Sequence, residues 1–199
     1  AGIRDSRSVI PWGVSVRVPG SSVKSFEASK PVKVSAKVRE LLAWPDAARW
    51  RVRLSVAEVA ADGPFSRFDG VQRWFAVLGG AGVRLVVDGV THTLTAASDP
   101  FAFDGAAATQ CTLPGGATQD FNLMTRQAPA RLQRVRGDYR GTTDAMNLIA
   151  TYAVSARAVA TFDSEHVTLA PGTLAWRQAT ARAAVHLQGD DALWMEVTP

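Results

Sequence analysis

The stretch "VRLVVDGVTHTL", residues 83–94, decides the fold. Two short runs rich in β-branched residues flank Asp88-Gly89. An Asp-Gly pair suits the positive φ angles of a two-residue type I′ turn, whose twist matches that of antiparallel strands. The reading is a β-hairpin. Outward from it, the same period-two alternation recurs. "PVKVSAKVREL" (31–41) sets Val32, Val34, Ala36 and Val38 against Lys33, Ser35, Lys37 and Arg39. "WRVRLSVAEV" (50–59) sets Trp50, Val52, Leu54 and Val56 against Arg51, Arg53, Ser55 and Ala57. Successive strand residues face opposite sides, so each segment offers one apolar face to a core.

"QRWFAVL" (72–78) precedes Gly79-Gly80. Beyond residue 142 the pattern resumes in "MNLIATYAV", "RAVATF", "HVTLAPGTLAWR", "RAAVHL" and "ALWMEV", with turns at Pro171-Gly172 and Gly189-Asp190. Helical periodicity is scarce. Many short strands at close spacing predict an all-β protein built as a sandwich or barrel. The apolar-poor segment 128–141, with Pro129, Gly137 and Gly141, reads as a connection between two β units, 1–127 and 142–199.

The chain has 199 residues, 47% apolar and 20% charged, with a net charge of +4. Such a composition supplies a sizeable core. No apolar run approaches the roughly 20 residues of a membrane span. The positive charge is no nucleic-acid footprint. The four lysines (Lys24, Lys30, Lys33, Lys37) cluster near the N-terminus, and the arginines are spread thinly without interleaved aromatics. The expectation is a chain that binds neither nucleic acid nor membrane. One cysteine, Cys111, excludes an internal disulfide and fits the cytoplasm.

Three histidines, His92, His166 and His186, form no paired motif, so neither a protein-built metal site nor a cofactor is expected. Cys111, in "ATQCTLPGG", has no basic neighbour to activate it and reads as a buried structural thiol. The glycines of "LGGAG" (78–82) lack the following helix that would hold a phosphate.

Polar residues scattered among the strands carry more chemistry: Arg53, Ser55, Ser66, Arg73, Asp120, Asn122 and Arg126. In "TQDFNLMTR" (118–126), alternation puts Asp120, Asn122, Met124 and Arg126 on one face and Phe121, Leu123 and Thr125 on the other. Arg53 beside Ser55 offers donors matched to a carboxylate's two oxygens. Asp120 and Asn122 could orient a small polar ligand. Cross-strand charge pairing or simple solvation explains the same residues. Spacing leaves both readings open.

These segments resemble the HutD/Ves family. The resemblance rests on "RLSVA" (53–57), "GPFSRFDG" (63–70), Arg73, "LGG" (78–80), "DPFAFDG" (99–105) and above all "DFNLMTR" (120–126). It departs at Val52, where the family has tryptophan (here Trp50), and in "PWGVSVRVPGSS" (11–22), where the family's Asn-Gly-rich segment is not recognisable. The resemblance implies two cupin-like β-barrels without the cupin metal ligands, and a non-enzymatic, regulatory role in histidine utilisation. The ligand implied is a small acidic metabolite, such as a formylated amino acid like N-formylglutamate. In that picture Arg53 pairs with the acid, Ser55 and Ser66 donate to it, and Asp120 and Asn122 orient it. Arg73 and Arg126 are further contacts or partners of Asp120. The alternative is a metal-independent cupin-type isomerase or hydrolase with Asp120 as its base. A homodimer is left open.

Overall fold

The computed structural model describes residues 13–15, 36–143, 147–179 and 182–198. The segments read above at 31–35 and 16–22 lie outside them, and so do Lys24, Lys30 and Lys33. Sixteen strands follow one another among the described residues. They are β1 (Gly13–Ser15), β2 (Ala36–Trp44), β3 (Val52–Val59), β4 (Gly63–Pro64), β5 (Gln72–Gly79), β6 (Val83–Val87), β7 (Val90–Leu94) and β8 (Phe101–Asp104). Then come β9 (Thr109–Thr112), β10 (Thr118–Thr125), β11 (Ala130–Thr142), β12 (Asn147–Ala153), β13 (Ala158–Phe162), β14 (Glu165–Leu169), β15 (Leu174–Ala179) and β16 (Ala184–Val197). The protein is all-β, and no helix among the described residues is long and apolar enough to cross a membrane.

The hairpin forms as its sequence dictates: β6 pairs with β7 around Asp88 (φ 46°) and Gly89 (φ 85°), the two positive angles a type I′ turn requires. Three antiparallel sheets result. One has the order β2-β3-β10-β5-β8, a second β4-β9-β6-β7, and a third β1-β15-β12-β16-β13-β14 with β11 added beside β16.

The five-stranded sheet lies between two cores. Val52, Leu54 and Val56 of β3 and Phe121 and Leu123 of β10 pack with Leu148, Tyr152, Leu174 and Leu193 of the third sheet. The opposite face carries Val59, Phe75, Val77 and Phe103, which pack with Val83, Leu85 and Cys111 of the second sheet. A further cluster, including Ile149, Leu187 and Trp194, belongs to the third sheet itself. The first and second sheets enclose one unit, and the third sheet makes the other.

Two boundaries differ from the sequence reading. Segment 128–141 is no connection: β11 runs almost its whole length and pairs with β16 from Ala130↔Val197 to Thr142↔Ala184. Within β11 only Leu132 and Val135 are buried apolar residues, and the register shifts between Val135 and Gly137, which breaks the alternation. The third sheet also takes β1 from the N-terminal part of the chain, through Gly13↔Trp176.

Candidate functional site

The inner face of the five-stranded sheet is polar where an apolar face would cost least. Strand β10 lies at its centre, paired with β3 on one side and β5 on the other. Register fixes three rows across these strands: Ala57–Asp120–Val77, Ser55–Asn122–Phe75 and Arg53–Met124–Arg73. Residues directly opposite one another share a face. All of them point into the first unit, and Ser55, Arg73, Asp120 and Asn122 are buried.

Arg73 is 6% exposed. Its Nη2 donates to Asn122 Oδ1 at 2.8 Å. Its guanidinium carbon lies 5.1 Å from the Phe65 ring centre, 5.0 Å from Phe103 and 5.9 Å from Phe68. The aromatic faces stabilise the cation. No carboxylate pairs with it among the described residues, and its buried Nε has no hydrogen-bond partner there. Burial lowers its pKa to about 10, which leaves it charged at neutral pH.

Asp120 is fully buried. Thr118 Oγ1 donates to its Oδ2 at 2.7 Å, and its Oδ1 has no partner among the described residues. Burial pushes its pKa up to about 7, against a smaller downward pull from the Thr118 hydroxyl. Neither Arg73 nor Arg126 is its partner. Cys111 is buried, and its thiol is pushed up to about 12 by burial and then by the charges of Asp120 and Asp62.

The other expected residues lie elsewhere. Arg53 is at the sheet's margin, its side chain 18% exposed, where its Nε donates to Glu40 Oε2 at 2.8 Å. Ser66 is exposed in the segment between β4 and β5 and does not enter the interior. Arg126 lies beyond the end of β10, exposed, with its guanidinium carbon 4.1 Å from the Trp50 ring centre. The structure thus brings Ser55, Arg73, Asp120 and Asn122 together inside, keeps Arg53 on the same face at its margin, and leaves Ser66 and Arg126 outside. Sequence reasoning missed Phe65, Phe68, Phe103 and Thr118. The three phenylalanines stand in the quoted motifs, but as aromatic punctuation they gave no sign of closing on one guanidinium.

No cluster of three or more metal-ligating side chains occurs among the described residues. His92 packs on Phe101 at 4.2 Å between ring centres, His166 is exposed, and His186 Nε2 lies 3.2 Å from Asp138 Oδ1. A surface groove of about 340 Å³ adjoins His186, lined also by Arg140, Thr161 and Asp163. Its charged groups Arg140 and Asp163 are exposed to water. It contains no stranded polar atom of the kind found at Arg73 and Asp120.

Taken with the fold, these features define a cupin-like all-β protein with a polar cluster inside its first unit. The chain belongs to the HutD family, whose model matches residues 37–195. A solved conserved protein of unknown function from Pseudomonas aeruginosa PAO1 is 30% identical, with a TM-score of 0.71 over 82% of this chain and 89% of that one. HutD from Pseudomonas fluorescens SBW25, solved in a formate condition, is 28% identical, with a TM-score of 0.72 over 82% and 88%.

Among curated relatives, an uncharacterised 21.2 kDa protein from the hutC 3′ region of Pseudomonas putida is 44% identical over 90 residues. Protein Ves of Citrobacter koseri is 38% identical over 96 residues. Those matches cover 44% and 47% of this chain, and the chain spans about half the length of each, 47% and 50%. The Escherichia coli protein Ylba, at 10% identity and a TM-score of 0.64, shares the fold alone.

Proposed function

We propose that the protein binds a small acidic metabolite inside its first unit, with Arg73 as the anion's anchor. The observation that carries this reading is a buried guanidinium without a carboxylate partner among the described residues. Removing a charge from water costs several kcal/mol unless a partner restores the lost interactions. An acid bound at the vacant Nε would restore them. The three phenyl faces hold the guanidinium plane, leaving its N–H edge to recognise the acid.

Asp120 gives the ligand's other end a partner. It lies two residues along β10 from Asn122, which the Arg73 guanidinium reaches, about 7 Å at strand spacing. Near neutral pH its carboxyl is available in both protonation states, so it can orient an N–H or a carbonyl. A ligand of amino-acid length with an acid at one end and an amide or formyl group at the other meets both. N-formylglutamate has that form. The link to histidine utilisation draws on the names of two relatives, a protein beside hutC and a HutD.

Titration calorimetry with formate, N-formylglutamate and urocanate tests the proposal. Saturable heat from at least one acid, lost in Arg73→Met, is expected. Absence of heat from all three, or equal heat from the variant, counts against it.

One observation favours a second reading, a metal-independent enzyme acting on a small carboxylate. A carboxyl titrating near 7 is matched to general-base work at neutral pH. Turnover of a bound acid that disappears in Asp120→Asn, with binding retained, would select this reading.

A further inference from the structure

The two units meet at an arginine that the site above does not contain. Arg134 of β11 has a side chain only 1% exposed. Its Nε and Nη2 donate to Asp191 Oδ1 and Oδ2 at 2.7 and 3.1 Å, a bidentate pair within the third sheet. Its Nη1 reaches into the first unit and donates to the Val77 carbonyl at 2.7 Å. Ser155 Oγ also donates to Asp191 Oδ2 at 2.9 Å, which fixes the acid that holds the arginine.

Val77 is no ordinary strand residue. It lies directly opposite Asp120, and the β5–β10 register shifts between Gln119 and Asp120, so that Gly79 faces Gln119 and Leu78 is the extra residue. Such a bulge disrupts the local ladder and re-aims the side chains beside it. Strand β8 pairs with β5 only as far as Phe75, so it gives Val77 no support. The bulge is stapled instead by a guanidinium from the other unit.

We infer that Arg134 is a positioning residue: held by Asp191, it clamps the β5 bulge at Val77 and so sets the placement of Asp120 inside the first unit. By this route the second unit shapes the site without touching it. The inference rests on Asp120 belonging to the proposed ligand site, but its test needs no ligand, so the two can fail separately.

The test is the titration of Asp120, followed by carboxyl ¹³C shifts in full-length protein labelled at aspartate and assigned with Asp120→Asn. Cys111 of β9 feels the charges of both Asp120 and Asp62, and Cys111 and Asp62 are left intact. Arg134→Gln and Arg134→Lys are compared with Arg136→Gln, whose arginine donates to the Ala96 carbonyl and not to β5. Removing a positive charge alone would push the Asp120 midpoint up. Loosening the bulge admits water and lowers it.

The expected result is a fall of about one pH unit or more in Arg134→Gln and Arg134→Lys, with Arg136→Gln unchanged. An unchanged or raised midpoint in a folded Arg134→Gln overturns the inference. If that variant does not fold, Arg134→Lys, which keeps the positive charge but lacks the fork that holds Asp191 and the Val77 carbonyl together, decides by the same measure. Loss of fold in both would assign the pair a purely structural role and overturn it as well.

Discussion

Arg73 of β5 and Asn122 of β10, one row apart on the same sheet face, are a buried donor and acceptor, Nη2 to Oδ1 at 2.8 Å, and no carboxylate pairs with Arg73 among the described residues. The asparagine satisfies one of five guanidinium N–H groups and none of its charge. A buried guanidinium without a paired acid costs stability locally. Arg73→Met should leave stability to urea within about 1 kcal/mol of wild type or raise it, because losing one hydrogen bond is offset by removing a desolvated charge. Binding of an acid should weaken at least tenfold. A large loss of stability would show that Arg73 is structural.

Asp120 makes stability depend on pH in an unusual direction. Its folded pKa, about 7, lies above the ordinary 3.8, so between those values the folded state holds the proton more tightly than the unfolded one. Stability from this group is fully present below about pH 4 and is lost as pH rises through 7. The loss is on the order of 4 kcal/mol at most, from about 1.36 kcal/mol per unit. Asp120→Asn keeps an acceptor for Thr118 and should flatten this slope. Urea midpoints of both proteins between pH 4 and 8 check the difference.

Cys111 should be inert. A thiol pushed up to about 12 and buried carries negligible thiolate at pH 8. Labelling by a disulfide reagent should therefore follow unfolding, with native protein protected and the thiol reacting fully in denaturant. Rapid labelling of native protein would show that the interior opens to reagents.

Arg53, the arginine to which the sequence resemblance gave the acid, should rank below Arg73. Its partner Glu40 has a side chain 43% exposed, so the Arg53–Glu40 pair should contribute no more than about 1 kcal/mol in a double-mutant cycle. The effect of Arg53→Ala on binding of an acid should be smaller than that of Arg73→Met. Calorimetry on both variants orders them, and the reverse order would move the anchor to the sheet margin.

Alternation was a good guide to which residues share a face and a poor one to depth. The hairpin at 83–94 and the strand at 118–125 follow from period two and turn chemistry. The pattern could not tell that β10 is buried on both faces, because its inner face is polar and reads as a solvated one. It also carried Arg126 onto that face, although the strand ends at Thr125 and Arg126 stacks on Trp50. Strand β11 escaped notice for a related reason. It exposes most of its arginines, buries only Leu132 and Val135 among its apolar residues and changes face at a bulge. The aromatic cage of Arg73 draws Phe65 and Phe68 from before β5 and Phe103 from β8, a convergence made by tertiary packing.

The central claim is that an acid occupies the vacant edge of Arg73. The ¹⁵N–¹H resonance of Arg73 Nε, assigned by its loss in Arg73→Met and followed during titration with N-formylglutamate and then formate, tests it most directly. The account predicts a saturable downfield shift of that resonance with one of these acids, and no comparable shift at Arg53 Nε. A saturable response elsewhere in the protein with Arg73 Nε unmoved would contradict it.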